Sequence, residues 1–304
     1  MFSDNVTQID NEFWFIPVDM LTLMLSFSIV YLNILCLLVI FIDKSCHTVP
    51  MILVGNTCLS SLFVGLSMIS FSMFTLKNDL NQIEYKDSYC VVRSYFGYVT
   101  FAVFNCSFLL QSLYRYVIVV YPIHFFWQTI RVQCLLIGLS WIYSFIYCLP
   151  FLFTNSIVYD FNDQICELLL RPTFAKIYSI CFSTVLPISL VIYIYRKLAR
   201  YVREIGKIAM PSNTLIRARN HLKVVQRVVA EIIILIAVCC PYMFIIFLSF
   251  MNQAPKYKLR FAYIFVNSSI LCVLIGLIQY TEPLKNSLLK FFDNKPNAVA
   301  STVS

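Results

Sequence analysis

Charge is what this 304-residue chain has least of: Asp, Glu, Lys and Arg make up 12% of it, about half the share of an ordinary soluble domain. Beside 60% hydrophobic residues, that scarcity excludes a water-soluble globule and points to an integral membrane protein. Basic residues are missing altogether from positions 1–19, which instead carry Asp4, Asp10, Glu12 and Asp19. A cleaved signal peptide, with its basic amino-terminal region, is therefore not expected. Six glycines are too few for a phosphate-cradling loop, and His47, His124 and His221 stand in no zinc-binding or nucleophile-activating pattern. The inventory does not suit an enzyme, and no metal or other cofactor is expected. There is no repeat of fixed period and no low-complexity linker.

What is abundant is long apolar sequence. The first run, Met20 to Ile42, holds no charge, is bracketed by Asp19 and Asp43, and can cross about 30 Å of hydrocarbon. Further runs fall at 50–75, 91–121, 132–154, 174–199, 222–250 and 261–280, making seven. Each is about twice the length of a membrane-spanning strand and lacks polar alternation. The expectation is an all-α membrane protein: an outer amino terminus at 1–19, a seven-transmembrane helix bundle at 20–280, and a short amphipathic helix and tail at 281–304.

Positive charge sets the orientation. Between Arg196 and Arg227 lie nine Lys or Arg residues with Glu204 as the lone acid, so that connection is expected in the cytoplasm and the amino terminus outside. The net charge of +8 then reads as topology. The basic stretch is either a solvated connection or a contact for anionic membrane lipids, and nothing suggests nucleic acid. Of the twelve cysteines, nine fall inside apolar runs as small packing residues, and Cys46 falls on the cytoplasmic side. Only Cys90 and Cys166 face an oxidising compartment, and they are expected to pair. Asn5-Val6-Thr7 is a glycosylation acceptor on the outer face, whereas the triplets at Asn105 and Asn267 lie within spans and are expected to be silent.

One cation stands out. Arg115, in Tyr114-Arg115-Tyr116 followed by Tyr121-Pro122, ends the third apolar run, where an arginine beside hydrocarbon is costly without a role. Together with seven spans and the Cys90/Cys166 pair, this motif resembles the rhodopsin-like G-protein-coupled receptors over nearly the whole chain. Asn33, Asn56, Trp141, Pro187 with Tyr195, Pro241 and Tyr280 match that family's landmarks in order. Each has a physical reading as well. Pro187 and Pro241 remove backbone hydrogen bonds, giving span six a hinge. Asn33 and Asn56 are buried polar groups that need partners on other helices or on the backbone. Glu282 to Phe292 sets Leu284, Leu288, Leu289 and Phe292 on one face, expected to meet the bilayer.

The departures are informative. Tyr114 replaces the acid that normally precedes the arginine, and Ser61 stands at the position of a sodium-binding aspartate. Val238-Cys239-Cys240-Pro241 lacks the aromatic toggle, and Gly276 to Tyr280 keeps only the tyrosine of its signature. This places the chain on a divergent branch. Glu231 lies four residues from Arg227 and within range of Arg115, and either is a possible partner.

The resemblance implies an extracellular ligand, held between spans three, five, six and seven, and a heterotrimeric G protein at Arg115, Tyr195 and Tyr280. Gly97 stands where the family's amine receptors carry an aspartate, so the expected ligand is a peptide or a chemosensory small molecule. Candidate pocket residues are Arg93, Gly97, Tyr98, Phe101, Ser179, Ser183, Tyr242, Ile246, Tyr263 and Asn267. Arg93, Arg171, Lys176, Lys256, Lys258 and Arg260 make the outer mouth basic and suited to an anionic ligand. Alternatively they snorkel to headgroups or pair with Asp87, Asp160, Asp163 and Glu167. Two other classes stay open: a seven-helix transporter or channel, which would show inverted repeats and midplane charges, and a receptor-shaped protein that no longer signals.

Overall fold

The computed structural model describes residues 15–81, 88–121, 123, 125–161, 163–168, 173–207, 212–251, 253 and 258–293. Between 205 and 232 it describes side chains only at Val229 and Ala230, and at 125, 292 and 293 it describes the backbone alone. Asn5 therefore lies outside the described residues, as does the side chain of Glu231.

Among the described residues, seven helices are long and apolar enough to cross a membrane: Phe15–Ile42, Val49–Asn81, Cys90–Val120, Ile130–Phe153, Phe174–Glu204, Ile233–Phe250 and Lys258–Tyr280. This is a multi-pass membrane protein, and the helices are numbered below as spans one to seven. Span six belongs to a continuous helix, Ser212–Phe250, with Pro241 inside it. Spans one and two run five or six residues further than the apolar runs suggest, beginning at Phe15 and ending at Asn81. The reason is electrostatic: Asp19 and Asp79, which interrupt the apolar pattern, are both paired with Arg260 inside the bundle.

Span three is the axle. Within its apolar window 67% is buried, against 56% for span two and 22% for span four, so it is the most enclosed of the spans. Its Phe104 and Phe108 meet Ile29, Val64, Val191, Leu235 and Ile270, joining spans one, two, three, five, six and seven in one core. Spans one and two approach most closely at Gly65, where a Cβ would lie 3.0 Å from Val30 Cγ2 and 3.1 Å from Ile29 Cγ2. Small residues at such crossings are what let membrane helices pack.

Polar side chains bridge the helices. Ser61 Oγ donates to Asn33 Oδ1 at 2.7 Å, Trp141 Nε1 donates to Asn56 Oδ1 at 3.1 Å, and Gln111 Nε2 donates to Thr57 Oγ1 at 2.8 Å. Each contributes on the order of 0.6 kcal/mol, the average for such membrane bonds.

Span five is irregular for a reason visible in its sequence. It is α-helical over Phe174–Ile180, a π-helical turn over Cys181–Val185, and α-helical again from Leu186. Pro187 has no N–H, so the carbonyls of Phe182 and Ser183 lose the donor that a π or an α pattern would supply. Both are answered from neighbouring spans: Tyr143 Oη donates to the Phe182 carbonyl at 3.2 Å and Asn105 Nδ2 to that of Ser183 at 2.9 Å. Asn105 is thus a structural donor at 2% exposure.

Between spans four and five lies an antiparallel hairpin, β1 (Ile157–Asp160) and β2 (Ile165–Leu168), with Tyr159 opposite Cys166. The Cys90–Cys166 disulfide ties β2 to the start of span three.

At the opposite end, the helix Glu282–Asp293 follows span seven. Its Leu284 and Leu288 do not meet the bilayer: they are buried against Cys36, Val39, Met51, Leu274 and Leu277, under spans one, two and seven. Leu289, as expected, and Phe291 are exposed, and the side chain of Phe292 lies outside the described residues. Ser287 fixes it by donating to Asp43 Oδ2 at 2.6 Å. That hydroxyl, with the Ser45 backbone N–H, holds the Asp43 carboxyl below the usual range.

Candidate ligand-binding site

The disulfide end of the bundle is closed by β2, whose four residues are all buried. Ser94 Oγ donates to the Cys166 carbonyl, and the Leu168 N–H donates to Tyr98 Oη at 3.2 Å, so span three holds the strand on both sides of Glu167. Glu167 points inward. Its Oε1 accepts from Lys176 Nζ at 2.9 Å, both residues being almost fully buried, and its Oε2 accepts from Tyr263 Oη at 3.5 Å.

Two cavities lie beneath. A small one of about 90 Å³, against β2, is bordered by Gly97, Tyr98, Phe101, Tyr242 and Tyr263, with Phe71 and Glu167. A larger one of about 400 Å³ extends along spans five and six, bordered by Tyr98, Phe101, Ser179, Ser183, Tyr242 and Ile246, with Lys176 and Leu235. The larger volume lies in the range that encloses a drug-sized molecule. Eight of the ten residues anticipated for a pocket therefore border these spaces. Arg93 does not: its guanidinium lies 4.9 Å from the Phe74 ring centre and 6.0 Å from that of Phe71, a cation–π position on the flank of the bundle. Asn267 does not border either cavity, and is fully buried.

Of the expected mouth cations, Lys176, Lys258 and Arg260 are paired with carboxylates, whereas Arg171 and Lys256, like Asp87, lie outside the described residues. Besides Lys176–Glu167, Lys258 Nζ stands 4.0 Å from Asp160. Arg260 is bound by Asp79 through both terminal nitrogens and by Asp19 at 3.4 Å, with its guanidinium 4.5 Å from the Phe15 ring centre. Asp163, in the hairpin turn, accepts from the backbone N–H groups of Leu259 at 3.1 Å and Arg260 at 3.4 Å. Those are orphan donors in the first turn of span seven, so a carboxylate from the hairpin caps that helix. Burial, with Asp160 nearby, pushes the Asp163 carboxyl up to about 7. Gln164, at φ 55, adds a bond to Asp79 at 3.2 Å.

Asp79 and Glu167 are the site residues that sequence pattern undervalues. Asp79 reads as a helix-end charge, and Glu167 as a loop acid beside a cysteine. The available signal was the cation at the start of span seven, Arg260, which is too deep in the bundle to go unpaired.

At the other end Arg115 is half-buried, its guanidinium 5.8 Å from the Tyr114 ring centre, and among the described residues no carboxylate lies within ion-pair distance. Tyr195 packs beside Val119, Leu198 and Val202, joining spans three and five. Tyr280 is exposed at the end of span seven. Among the described residues no cluster of His, Cys, Asp and Glu is placed to hold a metal.

Cavities bordered by spans three, five and six, under a strand tied down by a disulfide, give this helical membrane bundle an internal site at one end. The sequence matches the 7 transmembrane receptor (rhodopsin family) over residues 32–278, and the chain belongs to that family. Among curated proteins, the 5-hydroxytryptamine receptor 5B of Mus musculus is 26% identical over 195 residues, 62% of this chain and 51% of that receptor. Its Rattus norvegicus counterpart is 25% identical over the same shares. The chain thus spans about half the length of the curated relatives it matches.

Proposed function

We propose that the protein is a plasma-membrane receptor, amino terminus outside, that converts binding of an extracellular ligand into activation of a heterotrimeric G protein. The observation that carries the reading is the separation of two ends in a rhodopsin-family bundle: enclosed cavities at the disulfide end, and Arg115 with the basic ends of spans five and six at the other. Gly97, Tyr98, Phe101, Ser179, Ser183, Tyr242, Ile246 and Tyr263 hold the ligand. Agonist binding favours the conformer in which span six, loosened at Pro241 and restrained near Glu231, moves from span three, while Pro187 sets the shape of span five. Arg115, Tyr195 and Tyr280 then face the G protein. The segments at 1–19, with Asn5 glycosylated, and 281–304 flank this receptor domain.

The relatives' names suggest an amine, but two features argue against it. Gly97 offers no counter-ion, and Glu167, the one carboxylate bordering either cavity among the described residues, is already held by Lys176. An enclosed space under a strand also suits a small molecule better than a peptide.

The test is nucleotide exchange on added G protein by the full chain in membranes, with Arg115→Ala at matched surface expression. Exchange that the substitution abolishes supports the reading. Equal exchange in both proteins, or none even when the cavity is saturated by a confirmed binder, defeats it.

A further inference from the structure

The larger cavity has a shape and an opening that narrow the ligand further. Its border runs down span five from Lys176 to Ile192, a rise of about 24 Å at 1.5 Å per residue, so a volume of about 400 Å³ is drawn out into a slot. Polarity is concentrated at one end. Lys176, Ser179 and Ser183 stand at the top, whereas Ile188, Ile192, Leu235 and Ile236 border the lower part, where the Ser189 hydroxyl is spent on the Leu186 carbonyl of its own helix. The slot is shut towards the disulfide end by β2 and by the buried Lys176–Glu167 pair. Its flank is different. Val185 is 53% exposed, Ile236 48% and Met243 46%, and these border the same cavity from spans five and six. Apolar residues that are exposed on membrane spans and border a cavity mark an opening to lipid rather than to water.

We propose that this slot takes a single-chain amphiphile, a long hydrocarbon chain with one oxygen-bearing head group, which reaches it sideways from the bilayer between spans five and six. The inference rests on the receptor reading above and narrows its ligand. In that pose the head lies beside Lys176 and Ser179, near the membrane surface, and the chain points to the midplane. A lipid of the outer leaflet already has that orientation, so it moves in laterally without turning over. Lys176 carries three N–H donors, gives one to Glu167 and has the Tyr242 hydroxyl as a second partner, which leaves one donor for an oxygen-bearing head group. A chain that leaves lipid for the slot exchanges one apolar environment for another, so selectivity rests on the head and on the slot's length.

The test is photolabelling of the full chain in lipid nanodiscs with diazirine- and alkyne-tagged hexadecanoic acid and, in parallel, the corresponding hexadecanol. The expected result is saturable labelling of peptides containing Phe101, Ile188 or Leu235, competed by the untagged compound. Ser183→Trp, which fills the slot, lowers that labelling about tenfold or more, equivalent to a tenfold change in affinity. Ile236→Trp, at an exposed position where folding is not at stake, slows labelling without lowering its final level. Labelling confined to lipid-facing peptides, uncompeted and indifferent to both variants, overturns the inference. Nucleotide exchange read in the same nanodiscs separates the two readings. Slot labelling without any exchange keeps the amphiphile site and removes the receptor role. Exchange driven by a water-soluble compound, with no slot labelling, keeps the receptor and removes the amphiphile.

Discussion

Arg260→Met tests how the disulfide end is held together. The guanidinium is 3% exposed, serves two carboxylates on spans one and two, and lies on the Phe15 ring. Methionine keeps most of the volume and removes the charge, leaving Asp19 and Asp79 buried without that cation. Breaking a buried ion pair by deleting one partner costs about 3 to 5 kcal/mol, a large part of a marginal stability of about 5 to 15. For a domain of this size the midpoint of thermal unfolding is expected to fall by roughly 10 °C. The assay is thermal unfolding in detergent followed by a thiol-reactive fluorogenic dye, for which the buried free thiols of Cys36, Cys58, Cys106 and Cys148 are reporters. Arg260→Lys, which keeps the charge but not the two-pronged geometry, is expected to fall between. A midpoint within about 2 °C of the parent would refute the argument.

Asn105→Leu removes the donor answering the Ser183 carbonyl left open by Pro187; an unsatisfied buried carbonyl costs about 1 to 3 kcal/mol, read in the same unfolding assay. Gly65→Val forces spans one and two apart and is expected to cost about 1 to 3 kcal/mol by overpacking, whereas unchanged stability would mean the crossing is loose. Asp163, with its carboxyl raised to about 7, binds its proton more tightly folded than unfolded. It therefore contributes stability that is complete below the ordinary aspartate range and lost as pH rises through about 7, and Asp163→Asn should flatten that part of the pH–stability curve. Asp43 has the opposite sign: its lowered carboxyl stabilises the latch to Ser287 at neutral pH and loses it in acid. Ser287→Ala should speed hydrogen exchange in the helix Glu282–Asp293 at neutral pH, while equal exchange rates would sink the latch.

The spans were legible because the bilayer demands about twenty apolar residues per crossing, a signal that survives without any partner being known. The same rule misplaced the ends at Phe15 and Asn81, since a carboxylate reads as a boundary until its arginine is found across the bundle. Cavity-bordering positions such as Tyr98 and Tyr242 were accessible by counting from Cys90 and Pro241. Arg93 and Asn267 were not, because which way a residue faces depends on the rotation of its helix. The buried face of the final helix was misassigned for a related reason. Periodicity identifies a stripe of leucines but not whether lipid or the underside of spans one, two and seven receives it.

The π-helical turn at Cys181–Val185 acts as a phase shifter. One residue more than an α-helix requires rotates everything above it by about 100°, the angle per residue of a regular helix. Counted straight up from Pro187 on an α-helical wheel, Lys176 and Ser179 would be placed about a quarter-turn from where they stand. Deleting a single residue within 181–185 would leave the composition of span five almost untouched. It would nevertheless swing its polar upper residues off the slot and break the Lys176–Glu167 pair.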